Sequence, residues 1–263
     1  MKEYKFSVDE SKTKERMKKL KRYLHTHVLT AEKKFICSCC KECKKSHDGI
    51  FGKGQLHHLG HKYDLIINGI AIRIMIVGQE WGCEEKITLE ENHESKMECG
   101  ELYFSERNPH MKGTTSVLRL LFGKNLGSDH ESEYLKFTDG GTCHIFDAFS
   151  LCNYLICSAL KKETGKAGYS TSVMKNNCQQ HFKKALEILE PNVVIVQGKG
   201  IWKWVADAFD NIKVLKNSDG SLYQAEINGN TALVASFTHP SAPNIIYNWG
   251  MPEATEYLRK TVK

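Results

Sequence analysis

The chain has 263 residues, 41% of them hydrophobic and 26% charged, with only 5 prolines; this suffices to bury a core and excludes disordered and collagen-like classes. No apolar run approaches the roughly 20 residues of a membrane span, and the N-terminus MKEYKFSVDESKTKERMKKLKRYL is too charged for a signal peptide, so a cytoplasmic protein with no membrane partner is expected. The net charge of +6 is uneven: residues 1–45 hold 14 Lys and Arg against 6 Asp and Glu, a basic end that suits a polyanion such as DNA and equally suits a solvated amphipathic helix.

Within 9–28, Met17, Leu20, Leu24 and Val28 recur at helical spacing with lysines between them, predicting a basic N-terminal helix packed by one face. A cysteine-rich loop, Cys37 to Cys43, follows, and then Gly49, Gly52, Gly54 and Gly60 interrupt regular structure. The run IAIRIMIV (70–77), closed by Gly78, predicts a strand buried on both faces. CHIFDAF (143–149), NVVIVQG (192–198) and TALVASF (231–237) predict three more. Helical patterns lie at 115–122, at 177–190 before Pro191, and at 201–209. Residues 83–110, with eight glutamates, read as a long insertion between strand and helix.

Strands alternating with helices predict one domain, 1–263, with a three-layer α/β/α architecture around a central, mostly parallel four-stranded sheet. The site of such a sheet lies outside the carboxyl ends of its strands. Four loops are placed there: 78–82, 150–153, 197–200 and 238–244. They offer a carboxylate (Glu80), amides (Gln79, Asn153) and an imidazole (His239), a set suited to attack by water with stabilisation of a departing anion. The ten cysteines, in a chain without an export signal, point to metal binding, redox chemistry or burial before disulfides. Cys40 and Cys43 form a C-x-x-C pair, and Cys37 with Cys40 has the same spacing. Cys143 and Cys152 sit beside apolar runs as core residues.

The segments IMIVGQEWG, LCNYLIC, LEPNVVIVQG and SFTHPSAPN, in this order, resemble the uracil-DNA glycosylase superfamily over about Cys40 to Asn244. The resemblance is closest to its iron–sulfur family 4 type. It implies a monofunctional DNA glycosylase that extrudes a pyrimidine and hydrolyses its bond to deoxyribose, leaving an abasic site. Cys40, Cys43, Cys157 and Cys178 resemble the ligands of a 4Fe-4S cluster, with structural zinc as the alternative. By the same resemblance Glu80 orients water and stabilises the sugar cation, His239 donates to a pyrimidine carbonyl, Asn153 reads the base edge, and Gln79 assists. Gly78, Trp81 and Met111 line the base pocket. Ser241 meets a phosphate, and Ile245 or Ile246 either wedges into the stack or simply packs in the turn; Lys199, at a helix start, suits a phosphate neighbour and equally a solvated position. A monomer is expected.

Two departures from the family pattern stand out. The first loop reads Gln79-Glu80-Trp81 where family 4 has Gly-Glu-x-Pro-Gly, and Met111-Lys112-Gly113 offers methionine where a phenylalanine stacks on uracil. Trp81, Tyr103, Phe104 or His110 is then the replacement platform, and the substrate expected is uracil or a modified, bulky pyrimidine of the kind found in phage DNA. A catalytically inactive iron–sulfur DNA-binding protein is the rival, followed by an electron-transfer protein.

Overall fold

The structure is a computed structural model and describes residues 4–32, 34–52, 54–80, 88–165, 170–215 and 222–241. Strand β1 (Phe6–Val8) leads into α1 (Glu10–His27), which begins where the Asp9 carboxylate accepts the Lys12 N–H at 3.1 Å. Then come α2 (Cys40–Lys45), β2 (Ile50–Gly52), β3 (His58–Leu59), β4 (Leu65–Ile67), β5 (Ile70–Ile72) and β6 (Ile74–Gly78). Helix α3 (Leu89–Glu101) carries a capping box between Thr88 and Glu91, and α4 (Pro109–Leu121) has Pro at its start and Asn108 as its cap. The second half runs β7 (Tyr134–Lys136), β8 (Thr142–His144), β9 (Ser150–Asn153), β10 (Ser158–Leu160), α5 (Ser172–Leu189), β11 (Val193–Gln197), α6 (Trp202–Ala206), β12 (Ile212–Val214), β13 (Leu222–Ile227) and β14 (Asn230–Phe237).

The main sheet has the order β12-β13-β14-β11-β6-β9-β3. β14, β11, β6 and β9 pair in parallel, while β12, β13 and β3 add antiparallel edges. Side chains alternate across its plane. Ile74 and Ile76 join Val193, Ile195 and Phe237 in a core shared with α4, whereas Met75 and Val77 join Val194, Val196 and Val234 in a core shared with α1 and α5. Helices therefore cover both faces, and this is why the central strands read as unbroken apolar runs. Each fully buried aliphatic side chain there contributes roughly 1.5–3 kcal/mol.

Several expectations are corrected. The sheet has seven strands in place of four, and half of its pairings are antiparallel. The run 70–77 is divided: β5 turns away to a small antiparallel sheet with β4 and β1, and only β6 enters the main sheet. The run 143–149 is no central strand; β8 pairs with β7, a 3-10 turn spans Ile145–Asp147, and the parallel strand is β9, in the stretch expected to be a loop. Ile145 and Phe146 are buried by packing of that turn against the α4 side. The segment expected to be an insertion contains α3, which packs on β3 and is tied down by Arg107. That guanidinium donates to the carbonyls of Cys99, Gly100 and Leu102 and pairs with buried Glu133 at 2.7 Å. Among the described residues no helix is long and apolar enough to cross a membrane.

Candidate functional site

The carboxyl ends of β6 and β9 lie side by side, with Gly78 opposite Asn153 in register. The chain beyond each strand stays joined: Tyr154 N–H donates to Gly78 O and Leu155 N–H to Gln79 O, both at 2.9 Å. A cleft of about 440 Å³, open to solvent, forms at this edge and is lined by Gln55, Gly78, Gln79, Glu80, Lys96 and Met111, with Asn108, His110, Leu151, Asn153 and Gln197 completing the wall.

Glu80 is held from three directions. Its Oε1 accepts from Gln79 Nε2 at 3.0 Å and from Ser170 Oγ at 2.8 Å, and its Oε2 accepts the Ala159 N–H at 3.2 Å. Gln79 Nε2 also reaches Ser170 Oγ at 3.2 Å. Gln79 thus acts on the cleft by positioning the carboxylate. A carboxylate restrained in this way is an oriented negative charge that still has lone pairs to offer.

Asn153 is nearly fully buried, and its Nδ2 donates to Gln55 Oε1 at 3.2 Å. Its Oδ1 lies over Gly78, where a Cβ would approach it to 2.6 Å. Glycine at 78 is therefore what admits this amide to the strand edge. Gly54, at φ +69°, does the same for the neighbouring segment, since a Cβ there would meet Ile156 O at 2.5 Å. Gln55 Nε2 is buried and has no hydrogen-bond partner among the described residues. A buried donor without a partner is costly in an empty site, and it matches a carbonyl group brought by a ligand.

The third side is imidazole. Gln197 donates through Nε2 to Thr114 Oγ1 at 3.0 Å and to His110 O at 3.3 Å, so its Oε1 is the acceptor for His110 Nδ1 at 3.0 Å. His239 meets the His110 ring edge-on with centroids 4.4 Å apart. Burial lowers the pKa of both rings; Gln197 partly offsets this in His110, and His110 lowers His239 further. The Ser241 N–H donates to His239 Nδ1 at 3.1 Å, which leaves the proton of the neutral ring on Nε2, a donor to whatever lies beside it.

On the α1 and α5 side of the sheet a second cavity of about 310 Å³ is lined by Cys37, Cys39, Cys40, Cys43, Cys157 and Cys178, with Val28, Phe35, Phe51 and Ile156 as its apolar wall. Cys157 hydrogen-bonds to Cys178 and Cys43, contacts that raise its own pKa, lower that of Cys178 and bring Cys43 down to about 6. Cys37 lies in the same cavity with its Sγ 3.3 Å from His181 Nε2, and burial pushes its thiol up to about 11. Cys43 is thus the early cysteine in contact with Cys157, and Cys40 lines the same cavity. The two triads whose ligand atoms fall within 4.8 Å of one another are histidine–carboxylate groups and include none of these sulfurs. Four thiolates are the donors of a 4Fe-4S cluster and of a structural zinc site alike. Cys143 and Cys152 are buried away from it in the sheet and turn packing.

The structure thus gathers Gly78, Gln79, Glu80, Met111 and Asn153 in one cleft, sets His239 at its rim against His110, and groups the four cysteines behind it. Of the four replacement platforms, His110 lines the cleft, Tyr103 is exposed and, like Phe104, contributes nothing to the lining, and Trp81 lies outside the described residues. Ile245 and Ile246 also lie outside them, while Ser241 and Lys199 are exposed. Sequence reasoning missed Gln55, Lys96, Asn108 and Ser170 as site residues, since none carries a local motif and Ser170 reaches Gln79 from 91 positions away, and it placed Gln197 in a strand-end loop without giving it a role. No protein-family model matches the chain, and no curated protein matches it.

Proposed function

We propose that this protein is a monofunctional DNA glycosylase acting on a pyrimidine extruded from DNA. The observation that carries the reading is Glu80 at the cleft floor, fixed by Gln79, Ser170 and the Ala159 N–H beside the buried amides of Asn153 and Gln55. In the reading, the extruded base is met by Asn153, by the unpartnered Gln55 Nε2 and by Met111. Glu80 lies against the sugar, where its charge stabilises the oxocarbenium-like carbon and orients the attacking water. His239 donates from Nε2 to the base carbonyl as negative charge develops there. In this scheme the attack is by water, so the strand stays intact.

Cys40, Cys43, Cys157 and Cys178 would hold a 4Fe-4S cluster, which supplies a structural cross-link and takes no part in the chemistry. Its connection to the cleft is short. Cys157 lies between Asn153 and Ala159, so fixing its sulfur fixes both the base-reading amide and the N–H that holds Glu80. The basic N-terminal segment and the exposed Lys199 support a DNA partner. Met111 and His110 at the cleft wall, in place of a stacked phenylalanine among the described residues, support a pyrimidine larger than uracil as substrate. The test is release of free base from DNA carrying one candidate pyrimidine, leaving a strand that breaks at that position only after alkali. Binding without release favours the rival, an inactive iron–sulfur DNA-binding protein.

A further inference from the structure

Away from the cleft and the cysteines, the geometry points to a binding site for one divalent transition-metal ion formed by His61, His93 and Asp147. His61 follows β3, His93 lies on α3, and Asp147 ends the turn Ile145–Asp147. One ligand atom from each lies within 4.8 Å of the other two. His61 Nδ1 is 3.9 Å and His93 Nε2 4.0 Å from the same Asp147 Oδ1. Both distances exceed the roughly 3.2 Å limit of a good hydrogen bond. Both are shorter than two metal–ligand bonds of about 2.0–2.2 Å laid end to end, so an ion bonded to nitrogen and oxygen fits between them.

The imidazoles sit 3.9 Å apart, centroid to centroid, so both present a nitrogen to the same carboxylate oxygen. Asp147 Oδ1 is held in place by the His61 backbone N–H at 2.6 Å. The other triad, His130, Glu133 and His144, makes a contrast: Arg107 and Arg119 already pair with Glu133 and repel a cation.

Two imidazole nitrogens and one carboxylate oxygen select zinc, cobalt, nickel or ferrous iron over magnesium or calcium. Three protein ligands leave a position for water. The ion ties α3 to β3 and to the turn before β9. One turn along α3, Lys96 lines the cleft, and beside His93 the Asn92 amide donates to Leu56 O, next to Gln55. Occupancy therefore braces the α3 wall of the cleft.

The test titrates Co²⁺ into the full-length protein with its cysteine site left as purified, with Mg²⁺ as control, and compares wild type with His61→Ala and His93→Ala. His61 is largely exposed, so its removal leaves packing intact. The expected result is one equivalent of Co²⁺ with a d–d spectrum free of thiolate charge transfer. Affinity falls at least about tenfold in either variant, and α3 amides exchange more slowly when the ion is bound. Equal affinity in wild type and His61→Ala, a thiolate charge-transfer band on the added ion, or no Co²⁺ bound overturns the assignment.

Discussion

Replacing Glu80 by glutamine isolates charge from shape. The carboxylate accepts two hydrogen bonds at Oε1 and one at Oε2. A glutamine keeps its oxygen toward Gln79 and Ser170 and turns its NH₂ toward the Ala159 N–H, so two of three contacts persist and one becomes a donor facing a donor. Leaving that N–H without an acceptor costs about 1–3 kcal/mol of local order. The larger loss is the negative charge beside a developing sugar cation: a preorganised electrostatic contact of this kind is worth about 3–4 kcal/mol, or 10²–10³ in rate. Single-turnover base release should therefore fall by about 10²–10³, while DNA affinity measured by fluorescence anisotropy changes by less than about threefold. A Glu80→Gln rate within about threefold of wild type, or a loss accounted for entirely by weaker DNA binding, refutes the role given to Glu80.

Three other outcomes are expected. Gly78→Ala places a Cβ 2.6 Å from Asn153 Oδ1, so base release should drop at least about tenfold and stability by about 1–3 kcal/mol, read by kinetics and urea unfolding, with unchanged far-ultraviolet circular dichroism. Cys157→Ser should take protein-bound iron to background and slow base release, measured by iron assay and absorbance. His57 is buried with both ring nitrogens unpartnered among the described residues, and burial, then His181, lowers its pKa from 6.5 to about 4. The unfolded chain takes up that proton first, so stability present above about pH 6.5 is lost as pH falls through 6.5 toward 4. The loss is about 2 kcal/mol at pH 5. Urea midpoints of His57→Leu should show that much less decline between pH 8 and pH 5, and an unchanged decline would contradict it.

The central strands were legible because a strand covered on both faces must be apolar at every position, as Ile74, Met75, Ile76 and Val77 are. β9 was not, since Ser150 and Asn153 break its run, whereas Cys143 to Phe149 owes its apolar character to a buried 3-10 turn. The edge strands β3 and β12 are too short to show a period. Glu80, Asn153 and His239 could be found because strand-end position is a local property. Gln55, Lys96 and Ser170 could not, because only the fold brings their segments together. The C-x-x-C spacing alone left Cys37 and Cys43 equal. In the fold both line one cavity, Cys43 against Cys157 and Cys37 against His181.

The most direct test of the account is base release from single-lesion oligonucleotides, single- and double-stranded, carrying uracil, hydroxymethyluracil, hydroxymethylcytosine or glucosylated hydroxymethylcytosine. The free base is identified by mass, and the strand is examined before and after alkali. The account predicts one or more of these pyrimidines released, with cleavage at that position only after alkali and with the bulky bases favoured over uracil. Stable binding of every oligonucleotide with no base released from any would contradict it.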